Sequence, residues 1–160
     1  MFLKYTIREI TGIEYNILND FLYQAIFVPE GVSAPPRSII LQDELQVYTK
    51  DFGMKKDDKC FVAEVDSQIV GAVWVRIMND YGHIDDDTPS FAISLYKDYR
   101  GYGIGTKLMK TMLAYLQGMG YKACSLAVQK ANYAVKMYLN VGFEIVDENE
   151  EEYIMLCRLN

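Results

Sequence analysis

The sequence predicts a single α/β domain over residues 1–160, with elements in the order β-α-α-β-β-β-α-β-α-β-β. Three observations lead there. Apolar runs of strand length recur along the chain. Stretches with apolar residues at helical spacing interrupt them. At 160 residues, 51% hydrophobic and 13% aromatic content supports one sizeable core and excludes disorder. No internal repeat, linker or low-complexity segment divides the chain.

Residues 2–10 alternate and read as the first strand. Thr11-x-x-Glu14 is a capping-box signal. It opens a helix with one apolar stripe: Ile13, Ile17, Leu18, Phe21, Leu22, Ala25 and Ile26. Pro29, Pro35 and Pro36 break that helix and set a loop to about Ser38. A second, shorter helix falls within 39–52, and 53–59 is a charged loop. Residues 60–65 and 69–78 form a hairpin around Asp66 to Gln68. A polar loop at 79–88 contains Asp85-Asp86-Asp87, and 89–96 is a further strand. Ile104, Leu108, Met109, Met112, Leu113, Leu116 and Met119 stripe the next helix, which Gly118 and Gly120 end. A strand at 121–129, a helix at 132–141 and a hairpin of 143–146 with 153–159 complete the order.

Composition narrows the function. A net charge of −6 argues against nucleic acid and is compatible with a cationic or amine substrate. No apolar run is long enough to span a bilayer, and the N-terminus lacks a signal-peptide core. Cys60, Cys124 and Cys157 each fall in a predicted strand and read as buried free thiols in a reducing cytoplasm. One histidine and no C-x-x-C leave no metal site.

The most informative segment is Arg100-Gly101-Tyr102-Gly103-Ile104-Gly105-Thr106, between a strand and a helix. Three glycines in one turn let the backbone take positive φ and approach a ligand. The helix start that follows offers unpaired amides and partial positive charge, a cradle for phosphate. A P-loop would need G-x-x-x-x-G-K-[ST], but Thr106-Lys107 has the reverse order. A dinucleotide fingerprint would need glycine at 106 and an acid ending the next strand, and neither is present. A ligand-free turn is the plain alternative.

From Arg100 the pattern is R-x-x-G-x-G, which resembles the coenzyme A pyrophosphate loop of the GNAT superfamily of N-acetyltransferases. A second segment, Asn132-Tyr133-Ala134-Val135-Lys136-Met137-Tyr138 with Leu139-Asn140-Val141-Gly142-Phe143, resembles that family's late N-x-A-x-x-[LM]-Y-x-x-x-G-F helix and turn. The resemblance implies a GNAT-like mixed, mostly antiparallel sheet flanked by helices, with acetyl-CoA as cosubstrate. It implies that the backbone amides of Gly101, Tyr102, Gly103, Ile104, Gly105 and Thr106 hold the pyrophosphate. Arg100 either reaches a phosphate or braces the turn. Ile93, Ser94 and Leu95 would pair their backbone with the pantetheine arm, and the Leu95 N–H would polarise the thioester carbonyl.

Tyr138 would act as general acid toward the departing thiolate, because a neutral phenol keeps its proton at pH 7. Its place on an apolar helix face equally fits a core tyrosine. Asn132 caps its helix or contacts the cofactor. Asp87 is the acidic residue nearest the cofactor strand and the candidate base. Tyr23, Phe27, the proline-rich loop with Glu30 and Arg37, and residues 81–87 are candidates for the acceptor site.

The function implied is transfer of acetyl from acetyl-CoA to a primary amine, of a small molecule or a protein, by direct attack in a ternary complex. A non-catalytic acyl-CoA-binding sensor or complex subunit is the alternative. A nucleotide-binding domain is a third reading. The partners expected are acetyl-CoA and an amine acceptor, without nucleic acid or membrane. The resemblance also makes a homodimer through the C-terminal hairpin conceivable.

Overall fold

The computed structural model describes residues 3–159, so the Phe2 end of the first predicted strand lies outside the described residues. Strands and α-helices run β1 (Thr6–Glu9), α1 (Leu18–Ala25), α2 (Asp43–Gln46), β2 (Lys59–Val65), β3 (Gln68–Arg76), β4 (Ser90–Leu95), α3 (Ile104–Gly118), β5 (Ala123–Gln129), α4 (Ala134–Val141), β6 (Glu144–Glu148) and β7 (Glu152–Arg158). Three 3-10 segments intervene, at Gly12–Ile17, Arg37–Leu41 and Lys97–Tyr99. The strands form one seven-stranded sheet in the order β1-β2-β3-β4-β5-β7-β6. Every pairing is antiparallel except β4 with β5.

β3 shows why its sequence is apolar nearly throughout. Val73 and Val75 enter the core beneath α3 and α4, while Ala72 and Trp74 enter the core beneath α1. A strand covered on both faces has no solvent side to encode. The β2–β3 turn places Asp66 and Ser67 at φ 50° and 65°, a two-residue turn with both centres left-handed. In α3, Ile104, Leu108, Met109, Met112 and Leu116 are fully buried. Each such side chain contributes roughly 1.5–3 kcal/mol relative to exposure. Met119, assigned to that stripe from its spacing, is instead 62% exposed, because α3 stops at Gly118.

The first helix also differs from its periodic pattern. Ile13 is 95% exposed, and the chain turns through the 3-10 segment Gly12–Ile17 before α1 begins. The Thr11–Glu14 capping box forms, yet it closes a 3-10 turn. At the other end Ile26 is already extended, three residues before Pro29. The expected helix within 39–52 breaks into Arg37–Leu41 and the four-residue α2. Tertiary donors take its carbonyls. Trp74 Nε1 bonds to Tyr48 O at 3.0 Å, and Arg76 Nη1 bonds to Lys50 O at 2.8 Å and Val47 O at 3.2 Å. Arg76 is itself buried and makes a fork with Asp58 at 3.1 and 3.0 Å.

Glu14 has a second partner. The Arg8 guanidinium binds it in two places, at 2.9 and 2.7 Å, and also pairs with Glu64. The bond to Arg8, then the Thr11 amide, pulls the Glu14 pKa down to about 2. A carboxylate depressed on folding stabilises above its unfolded value, and that contribution fades as pH falls toward the folded value. The pair is near the surface, so the stabilisation is about 1 kcal/mol after solvent screening. Glu14→Gln is therefore expected to flatten the loss of stability between pH 5 and about 2. Urea melts across that range check it, and parallel curves for the two proteins would refute it.

Cys60, Cys124 and Cys157 are buried free thiols in β2, β5 and β7. The sheet edge at β6 is exposed along its whole length, with Glu144, Asp147 and Glu148 discouraging further pairing. Among the described residues no helix is long and apolar enough to cross a membrane.

Candidate active site

The site begins where β4 and β5 part. β4 pairs with β3 over its full length, from Ser90↔Arg76 to Leu95↔Gly71. Its pairing with β5 is a single position, Ser90↔Ser125. That apex is fastened from the 79–88 loop. Ser90 Oγ donates to Asp80 Oδ1 at 2.9 Å, Tyr48 donates to Asp80 Oδ2 at 3.1 Å, and Ser125 Oγ donates to Gly82 O at 2.7 Å. Gly82 packs its backbone on β5, where a Cβ would come within 3.0 Å of the Ala127 amide. Burial raises the pKa of Asp80, and the two hydroxyls oppose that shift.

Beyond the apex, the far half of β4 has no neighbour on its β5 side. Tyr96 N–H bonds to Val70 O at 2.9 Å, in register with the β3–β4 ladder. Alternation then turns the backbone groups of Ser94 and Ala92 toward β3, and those of Ile93 and Leu95 toward the gap. The Arg100 Nε bond to Leu95 O, 3.1 Å, agrees with that direction. Ser94 is thus removed from the expected backbone trio. It lines the cavity, but its ladder bonds go to β3 and its hydroxyl donates to Phe21 O at 2.6 Å.

The glycine loop follows the 3-10 turn Lys97–Tyr99. Gly101 and Gly103 sit at φ +86° and +82°, and a Cβ on either would meet nothing within 4 Å. The requirement there is conformational, and it leaves the backbone open to a ligand. Gly105 is needed for a different reason: its Cβ would lie 3.3 Å from Met137 Sδ on α4. The first intrahelical bond runs from Lys107 N to Gly103 O, and no side chain caps the helix. The Ile104, Gly105 and Thr106 amides are therefore the orphan donors of α3. The Ile104 side chain is fully buried in the core and the Tyr102 ring is 53% exposed outside the cavity lining. Neither residue is among those lining the cavity. Arg100 lines the cavity while its Nε braces Leu95 O, so the bracing role is present in the structure.

Asn132 Oδ1 accepts from Ala134 N at 2.9 Å, the expected cap at the start of α4, and Asn132 also lines the cavity. Tyr138 is 8% exposed. Its ring packs edge-on against Phe143 with centroids 6.1 Å apart, within the core under α3. It also lines the cavity. Burial pushes its pKa above the ordinary tyrosine range, so it stays protonated at neutral pH. The two readings of this residue, core tyrosine and proton donor, are compatible.

These parts share one cavity of about 750 Å³. It gathers Ile93, Ser94, Leu95, Arg100, Gly101, Gly103, Gly105, Thr106, Asn132 and Tyr138 from the expected set. Tyr23, Phe27 and the proline-rich loop contribute a wall, as expected of acceptor candidates. Asp87 is not brought in: it is exposed on the loop before β4, its amide bonded to Asp85 Oδ1 at 2.9 Å. Glu30, Arg37 and residues 81–87 are likewise outside the lining. Sequence reasoning missed Lys97, Ile26, Val28 and Met137. Lys97 is the first cation after β4, and that position could have singled it out. The others look like ordinary apolar residues.

A family model described as the acetyltransferase (GNAT) family matches residues 22–143. A relative, "Probable N-acetyltransferase camello" of Xenopus laevis, is 34% identical over 93 residues, which is 57% of this chain and 41% of that protein. The chain thus spans less than half the length of that curated relative. Among solved structures, a GNAT acetyltransferase from Streptococcus pneumoniae superposes with a TM-score of 0.73 at 20% identity, covering 98% of this chain and 100% of that one. The PaiA N-acetyltransferase of Thermoplasma acidophilum, solved in complex with coenzyme A, gives 0.69 at 17% identity, covering 98% and 99%. At these identities the structural likeness establishes the fold.

Proposed function

This chain belongs to the acetyltransferase (GNAT) family, and from that premise we propose that it moves the acetyl group of acetyl-CoA to a primary amine by direct attack in a ternary complex. One observation carries the reading. A single cavity joins the unpaired half of β4, the glycine loop and Tyr138. The donor set suits the cosubstrate. The α3 amides, Lys97 and Arg100 would hold the pyrophosphate and phosphate charge. Ile93 and Leu95 would bond the pantetheine amides as an added strand would.

The amine nitrogen forms a bond to the thioester carbonyl carbon as the C–S bond breaks. The Leu95 N–H would stabilise the charge developing on the carbonyl oxygen. Tyr138 would give its proton to the departing sulfur and recover one from the amine through solvent. Asp87 has no part in this scheme, so water is assigned the amine's proton. Calorimetric titration with acetyl-CoA, followed by thiol release with a panel of amines, tests the reading. A folded protein that does not bind acetyl-CoA overturns it. Binding without thiol release from any amine would favour non-catalytic acyl-CoA binding.

A further inference from the structure

We propose that the acceptor is a monoamine with an uncharged, apolar body, and that the loop after α1 selects it against polyamines and other polycations. This rests on the N-acetyltransferase reading above. The chain as a whole is acidic, at −6, which by itself points to cationic acceptors. The cavity has the opposite character. Among the described residues, none of the side chains lining it is acidic, and the only charged ones are Lys97 and Arg100.

Of the acids close in sequence to the lining residues, Asp98, beside Lys97, is exposed and outside the lining, and two others are engaged elsewhere. Asp20 of α1 is paired with Arg37 and accepts from the Tyr96 hydroxyl at 3.4 Å. Asp80 is held by Tyr48 and Ser90. Glu30, on the lip loop itself, does not line the cavity, and neither does the 85–87 run.

The wall that α1 and its following loop contribute is built from Tyr23, Ile26, Phe27, Val28, Val32 and Pro35. The Tyr23 hydroxyl is spent within the wall, donating to Pro35 O at 2.6 Å. Gln24 is the one polar side chain of the wall without such a bond among the described residues. Val28 and Val32 are 36% and 56% exposed although they line the cavity. Isolated exposed valines need no explanation, but two on one cavity lip offer apolar surface to an incoming body.

The reacting ammonium must lose its proton to attack, so its charge is removed by the chemistry. A second ammonium on the same molecule would keep its charge and meet no carboxylate among the lining residues. Specificity of this kind comes from an uncompensated charge as much as from a favourable contact.

The test compares hexylamine with pentane-1,5-diamine. They match in length and differ by a methyl against an ammonium at the far end. The wild-type kcat/KM is expected to favour hexylamine by about tenfold or more, the scale of one unfavourable charge in a recognition site. Val32→Glu, at an exposed lip position, is expected to shrink that ratio severalfold while leaving acetyl-CoA affinity unchanged by calorimetry. Equal or better use of the diamine by the wild type, or a ratio that Val32→Glu does not move, overturns the proposal. If acetyl-CoA binds but neither amine is turned over, titration of both into the coenzyme A-loaded protein decides. Tighter hexylamine binding supports the proposal, and any other order sinks it. Failure to bind acetyl-CoA at all would instead count against the N-acetyltransferase reading itself.

Discussion

Gly103→Glu is expected to abolish acetyl-CoA binding in a protein that remains folded. Gly103 sits at φ +82° as the residue before the first turn of α3. A side chain there costs about 1–2 kcal/mol in the left-handed region. A built Cβ meets no atom within 4 Å, so the core does not oppose the change. An acid before a helix start also offsets part of the strain through its interaction with the helix dipole. The same carboxylate would occupy or repel the region where the Ile104 to Thr106 amides would hold the proposed diphosphate. Gly103→Ala separates the two effects, because it carries the strain without the charge. The alanine variant should weaken binding moderately and the glutamate variant eliminate it. Calorimetry beside thermal melts of all three proteins checks this. Binding by the glutamate variant at wild-type strength would remove the glycine loop from the site.

Tyr138→Phe should lower kcat by about 10²–10⁴ with little change in acetyl-CoA affinity, the range expected when a positioned general acid is lost. The variant keeps the ring that packs on Phe143, so stability should hold. Because burial raises the phenol pKa, the wild-type rate should show no falling limb from this group below about pH 10. Single-turnover thiol release across pH 6–9 makes the comparison. Unchanged turnover in the phenylalanine variant would reduce Tyr138 to a core residue.

The two motifs were legible because each expresses a local rule. Positive φ at Gly101 and Gly103 admits little besides glycine, and a helix start after a tight turn invites an asparagine cap such as Asn132. The helical spacing that put Tyr138 on an apolar face also carried it to the cavity. Local rules misled where long-range contacts outweighed them. Ile13 fits the stripe of α1 yet lies on a 3-10 turn, and the helix expected within 39–52 gave up its carbonyls to Trp74 and Arg76. Asp87 was singled out by nearness in sequence to β4, but the loop directs it away from the cavity.

By itself, the sequence determined the order of elements, the glycine turn before α3 and the helix that presents Tyr138. These follow from backbone conformation and side-chain periodicity within a few residues. Only the tertiary structure decided which side chains line the cavity. The single Ser90↔Ser125 pairing, tied to Asp80 and Gly82, lets β4 and β5 diverge and frees the backbone of Ile93 and Leu95. The lip from Ile26 to Pro35 then closes the site with apolar surface and keeps the chain's many carboxylates out of it. Divergence of two strands and exclusion of charge depend on contacts between residues tens of positions apart, which no local pattern encodes.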